Sequence, residues 1–201
     1  MRLYLVRHGQ TLWNVEGRAQ GHADIELDPV GVEQARRLKS NLPEGVHAFS
    51  SDMRRALATA QAVTMRVTAD VRLRERNLGM FEGRPFTEFH EHFRASGKSF
   101  SEFAPPGGES FLDVWHRLHP FTAEIGEMDD DQIIVTHGGT GALLLAQLMH
   151  GRPETARAFR FGNTAVTELE RRPDGSFVML RYNDTSHLDE PAREGDTDGS
   201  R

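Results

Sequence analysis

Two short apolar segments of this chain end in the same way. Leu3-Tyr4-Leu5-Val6 runs into Arg7-His8-Gly9, and Gln132-Ile133-Ile134-Val135-Thr136 runs into His137-Gly138-Gly139. Each run is too short for a helix and reads as a buried strand. A strand that is apolar throughout belongs in a sheet covered on both faces. The strand ends of such a sheet converge on a crevice where ligands bind. Two histidines far apart in the chain are therefore expected at one place.

The segments between them follow the same architecture. Asp28-Pro29 has the form of a helix cap followed by a first-turn proline, and opens a helix through Val32, Ala35, Leu38 and Leu42. Val46 to Ser50 reads as a second strand, and Asp52 as the cap of a helix bearing Ala56, Ala60, Val63 and Val67. Val71-Arg72-Leu73 reads as a weak further strand. From Gly79 to Gly108 the periodicity fades into Phe, His, Gly and Pro, as expected of an excursion over one edge of the sheet. Ser110 caps a long helix, another runs from about Thr140 to His150, and a hairpin turns at Pro173-Asp174-Gly175 between Thr164–Glu170 and Ser176–Tyr182. The repeated strand, helix, strand order predicts an α/β fold, a three-layer α/β/α sandwich with a mostly parallel central sheet. One domain over residues 1–188 is expected, with a small cap insertion at about 79–110 over the C-terminal strand ends. The polar tail, 189–201, is expected to be disordered.

Composition narrows the chemistry. The 201 residues contain no cysteine, which removes disulfides, thiolate metal sites and cysteine nucleophiles. A net charge of −6 argues against a general nucleic-acid binder, and no apolar run approaches a membrane span. The apolar stretch after Met1 is too short for a secretory signal, so a cytoplasmic protein is expected. What remains is His, Arg, Asp, Glu, Ser and Thr at the strand ends. Gly138 and Gly139 open a helix whose positive end faces the same crevice as His8, and Arg7 adds a planar cationic fork. That combination suits an anion, most economically a phosphoryl group.

In its motifs the chain resembles the histidine phosphatase superfamily, the phosphoglycerate mutase-like proteins. The residues that carry the resemblance are Leu5-Val6-Arg7-His8-Gly9-Gln10-Thr11 with Trp13-Asn14, Gln20-Gly21 with Asp24, Ser50 to Ala56 with Thr59-Ala60, Leu73-Arg74-Glu75 with Gly79 and Glu82-Gly83, Pro106 to Ser110, and Val135 to Gly139. The match runs from Leu3 to about Leu188. It implies a phosphohistidine intermediate, with neither metal nor other cofactor. His8 is implied as the nucleophile, Glu75 as the proton donor, and Arg7 with Arg55 as the clamp on the phosphoryl oxygens. His137, Asn14, Gln20, Gly21, Gly138 and Gly139 are implied to complete the phosphate and substrate contacts. Adjacent helix residues point about 100° apart, so Arg54 is expected at the rim.

Other clusters read more plainly. His90-Glu91-His92 has no third ligand at a recognisable spacing, His116 and His119 suit a surface face, and Glu127 to Asp131 a solvated turn. The Phe-rich stretch from Phe81 to Phe103 is either the packing of the insertion or an apolar wall over a substrate pocket. Mutases of the superfamily carry a longer basic insertion, whereas this one offers only Arg84, Arg94 and Lys98. The expected activity is therefore metal-independent hydrolysis of a small phosphorylated metabolite, as in the branch containing broad-specificity and α-ribazole phosphatases. The alternatives are a phosphoglycerate mutase and a phosphate-binding module without turnover. A homodimer is compatible with this reading, and neither nucleic acid nor membrane is expected as a partner.

Overall fold

The computed structural model describes residues 1–189, so the expected disordered tail lies outside the described residues beyond Asp189. Strand β1 (Arg2–Arg7) buries Leu3, Leu5 and Val6 completely, as an apolar run between two helical layers must. Thr11 caps a short helix α1 (Leu12–Val15). Asp28 caps α2 (Pro29–Leu38), accepting from the Gly31 amide at 2.7 Å, but the helix ends before Leu42 and tightens into a 3₁₀ turn over Lys39–Asn41.

The next segment departs from expectation at three points. After β2 (His47–Ser50), helix α3 (Arg54–Val63) is preceded by Met53 in the cap position; the Asp52 carboxylate is engaged by Arg74 at 2.7 and 2.5 Å instead. Val67 lies outside α3 and opens strand β3 (Val67–Ala69), because Thr64 is already extended. Val71–Leu73 is a 3₁₀ turn, set by the Asp70 side chain accepting from the Arg72 amide at 2.8 Å.

The excursion after Gly79 also contains an unexpected helix, α4 (Phe86–Ser96), with Phe86, Phe89 and Phe93 at helical spacing. Ser110 caps α5 (Phe111–Gly126) in a capping box with Asp113. Strand β4 (Gln132–Thr136) is buried at every position, and α6 (Gly138–Leu148) begins directly after His137, earlier than expected. The hairpin is present as β5 (Val166–Arg171) and β6 (Phe177–Asp184).

The six strands form one sheet in the order β3-β2-β4-β1-β5-β6. The first four run parallel, and the hairpin adds antiparallel strands at one edge. Residues from α2 and α3 pack with Tyr4, Val6, Ile133 and Val135 on one face; residues from α5 and α6 pack with Leu3, Leu5 and Ile134 on the other. The result is a three-layer α/β/α sandwich. No described helix is long and apolar enough to cross a membrane.

Register sets up the site. Arg7 pairs with Thr136, and the His8 amide donates to the Thr136 carbonyl at 3.0 Å, so His8 and His137 leave adjacent parallel strands side by side.

Candidate active site

The C-terminal strand ends open into a cavity of about 840 Å³. β1 delivers Arg7 and His8, the turn after β2 delivers Arg55 on the first turn of α3, the turn after β3 delivers Glu75, and β4 delivers His137 and Gly138. Asn14, Gln20, Gly21 and Gly139 line the same cavity. The ten residues that the resemblance implies for the site thus line one cavity.

The two imidazoles are buried, with ring centroids 5.1 Å apart. His8 Nδ1 lies 2.7 Å from the Gly9 carbonyl oxygen. A carbonyl only accepts, so Nδ1 carries the hydrogen and Nε2 keeps its lone pair. Burial, with the guanidiniums of Arg55 and Arg7 beside it, holds His8 well below the usual histidine range. His137 is depressed in the same way, first by burial and then by Arg55. Its Nε2 is 2.9 Å from the Ser51 hydroxyl, while its buried Nδ1 has no partner among the described residues.

The arginines are anchored by part of their hydrogen-bonding capacity only. Arg55 is fully buried and gives Nη1 to the Ala23 carbonyl at 2.8 Å and Nη2 to the Gly21 carbonyl at 2.9 Å. Burial pushes it down to about 10. Arg7 gives Nη1 to the Phe161 carbonyl at 2.7 Å. The Nε atoms of both arginines are buried without a partner among the described residues. Buried donors are nearly always satisfied; the two orphan guanidinium N–H groups, joined by His137 Nδ1–H when the Ser51 hydroxyl donates to Nε2, suit an oxyanion.

Glu75 sits across the N-terminus of α6. Its Oε2 accepts from the Gly139 amide at 2.9 Å, and Oε1 accepts from the amides of Arg76 and Thr140 at 2.9 and 3.1 Å, while the Thr140 hydroxyl, 3.2 Å from Oε1, donates to the Arg74 carbonyl at 2.7 Å. The Gly139 amide is therefore engaged by Glu75 and not directed at a ligand. Asn14 Oδ1 takes the Thr11 amide and hydroxyl and Asn163 Nδ2, which leaves its own Nδ2 as the donor at the cavity. Gly21, at φ +51°, contributes the carbonyl that fixes Arg55, and Gln20 contributes a buried Oε1 without a partner among the described residues.

Several supporting residues escaped the sequence reading. Asn163 Nδ2 donates to the His8 carbonyl at 3.0 Å. Arg117 donates to the carbonyls of Arg72 and Arg74 at 2.6 and 3.1 Å and pairs with Glu109. None of these carries a local signal, because each is recruited by tertiary contact. Arg54 is exposed and bonds Glu26, outside the cavity lining. Among the described residues no three His, Asp or Glu side chains converge as a metal would require.

Two buried imidazoles, a carboxylate and two guanidiniums around one cavity are an arrangement suited to phosphoryl transfer. The histidine phosphatase superfamily (branch 1) profile matches residues 3–185, and the chain belongs to that family. It is 32% identical over 203 residues to phosphoglycerate mutase-like protein 4 of Arabidopsis thaliana, spanning 94% of this chain and 87% of the relative. The fold superposes with a TM-score of 0.82 on the α-ribazole phosphatase of Shigella flexneri, 28% identical, covering 92% of this chain and 97% of that one. It superposes at 0.78 on a mycobacterial glucosyl-3-phosphoglycerate phosphatase, 31% identical, covering 90% and 98% respectively.

Proposed function

We propose that this chain is a metal-independent phosphomonoester hydrolase, acting through phosphohistidine on His8 as one domain over residues 1–188 with a cap at about 79–110. The observation that carries the reading is the pair of orphan donors Arg7 Nε and Arg55 Nε, with the unpartnered His137 Nδ1, in residues lining the cavity that His8 shares. They match the oxygens of a phosphoryl group in flight, whose charge spreads over three equatorial positions.

The steps follow from the geometry. His8 Nε2 attacks phosphorus, the ester P–O bond breaks, and the carboxylic acid of Glu75 gives its proton to the departing alkoxide. Water then attacks the phosphohistidine, losing its proton to the Glu75 carboxylate; the P–N bond breaks, and phosphate leaves with His8 neutral again. Oε1 already receives the amides of Arg76 and Thr140 and Oε2 only that of Gly139, so Oε2 is the oxygen assigned the transferable proton. Two guanidiniums supply the positive charge that a metal ion supplies elsewhere.

Alkaline quenching of turnover should trap a base-stable, acid-labile phosphoprotein, absent from His8→Ala. Undiminished phosphate release by His8→Ala overturns the covalent mechanism, and activity lost to EDTA and restored by a divalent ion overturns metal independence.

A second reading, phosphoglycerate mutase, is favoured by one observation. Arg76, Arg157 and Arg160 reach the cavity from outside the insertion, so its charge exceeds what Arg84, Arg94 and Lys98 alone suggested. Supplying 3-phosphoglycerate and measuring free phosphate against 2-phosphoglycerate separates the two.

A further inference from the structure

The phosphoryl seat occupies only the floor of the cavity. Above it, Trp13, Phe86, Phe93, Phe100, Phe111 and Phe159 present aromatic surface to the same space. None of the six is fully buried, and Phe86 is 38% exposed. Apolar rings left facing a concavity of about 840 Å³ form a binding surface, and that volume lies in the upper part of the roughly 300–1,000 Å³ range of small-molecule sites.

One wall is a continuous stack. The Arg157 guanidinium lies over Phe100 at 5.3 Å, Phe100 stacks on Phe111 at 4.3 Å with 23° between planes, and Arg76 lies over Phe111 at 4.0 Å and Phe89 at 4.9 Å. Among the described residues neither Arg76 nor Arg157 forms an ion pair through its side chain, so both are held by ring faces. Guanidiniums stacked this way present flat, weakly hydrated surface. The wall is built from α4, the loop to Phe103, the start of α5 and the turn around Arg157, elements that converge only in the folded chain.

Resting on the hydrolase reading above, we infer that the leaving group this chamber accepts is a large alcohol with a flat apolar or aromatic body, not a short polyol. Such a body covers the exposed rings and lies against the stacked wall while its phosphate reaches His8. A short polyol touches neither.

The test uses esters whose alcohols have closely similar basicity, so that intrinsic reactivity does not decide the result. Phenylpropyl phosphate should exceed propyl phosphate in kcat/KM by about tenfold or more, chiefly through a lower KM. Phe100→Ala should shrink that ratio. Calorimetry of the native protein with phenylpropylphosphonate and propylphosphonate should show the same order without turnover. Equal or inverted ratios in both measurements overturn the inference while leaving the hydrolase reading intact. Tighter binding of the aryl phosphonate with no hydrolysis of either ester overturns the hydrolase reading and leaves the chamber assigned.

Discussion

At the residue scale the central fact is that two buried imidazoles are kept neutral beside two arginines. Desolvation is the largest cause for both His8 and His137, and the nearby guanidiniums act in the same direction. A histidine whose folded pKa lies below its unfolded value of 6.5 binds fewer protons in the native state once pH drops below 6.5. The unfolded chain is then favoured, so stability falls as pH falls from 6.5 toward the folded pKa, by up to about 1.4 kcal/mol per pH unit for each histidine. Denaturant unfolding across this window should show the loss, and His8→Gln should remove one proton's worth of the slope. An unchanged slope in that variant would mean that His8 titrates normally in the folded protein.

At the element scale the site depends on α6 beginning where it does and on the segment bearing Glu75 staying in place. A Cβ on Gly139 would lie 2.7 Å from Glu75 Oε1. Gly139→Ala should therefore displace the carboxylate and lower kcat by about tenfold or more, with the phosphohistidine still detectable by quenching. From the other side, Arg117 on α5 fixes the carbonyls of Arg72 and Arg74, both bonds running to the backbone that leads into Glu75. Arg117→Met should cost kcat with little change in KM, whereas equal losses in both would reduce Arg117 to a folding role. What the sequence disclosed divides along similar lines. The strand ends at His8 and His137 were legible because uninterrupted apolar runs and glycines mark them. Helix α4 was not, because histidines and acids alternate with its Phe86, Phe89 and Phe93 spacing. Asp52 and Asp70 act in opposite ways: Arg74 draws Asp52 from its expected capping position, and Asp70 imposes a turn on Val71-Arg72-Leu73, which alternates like a strand. Arg157 carried no signal at all, since only tertiary packing brings its turn to the cavity.

At the scale of the whole molecule the charge is divided. The chain carries a net −6, yet the cavity is lined by seven arginines and a single acid, Glu75. Low-dielectric walls focus such a field outward and raise the encounter rate of dianionic phosphate esters, a contribution that salt weakens. The same field acts on the leaving group, where it penalises positive charge. Choline phosphate and dimethylbutyl phosphate have nearly the same shape and differ by that one charge. The alcohol of choline is the better leaving group, so reactivity alone predicts faster hydrolysis of its ester. A cationic chamber reverses the order: kcat/KM for choline phosphate should fall below that of the neutral isostere by several-fold, about tenfold at low ionic strength, and the gap should narrow as salt is added. If choline phosphate is the better substrate at every ionic strength, the arginines around the cavity do not act on the leaving group, and their charge serves only the phosphoryl end.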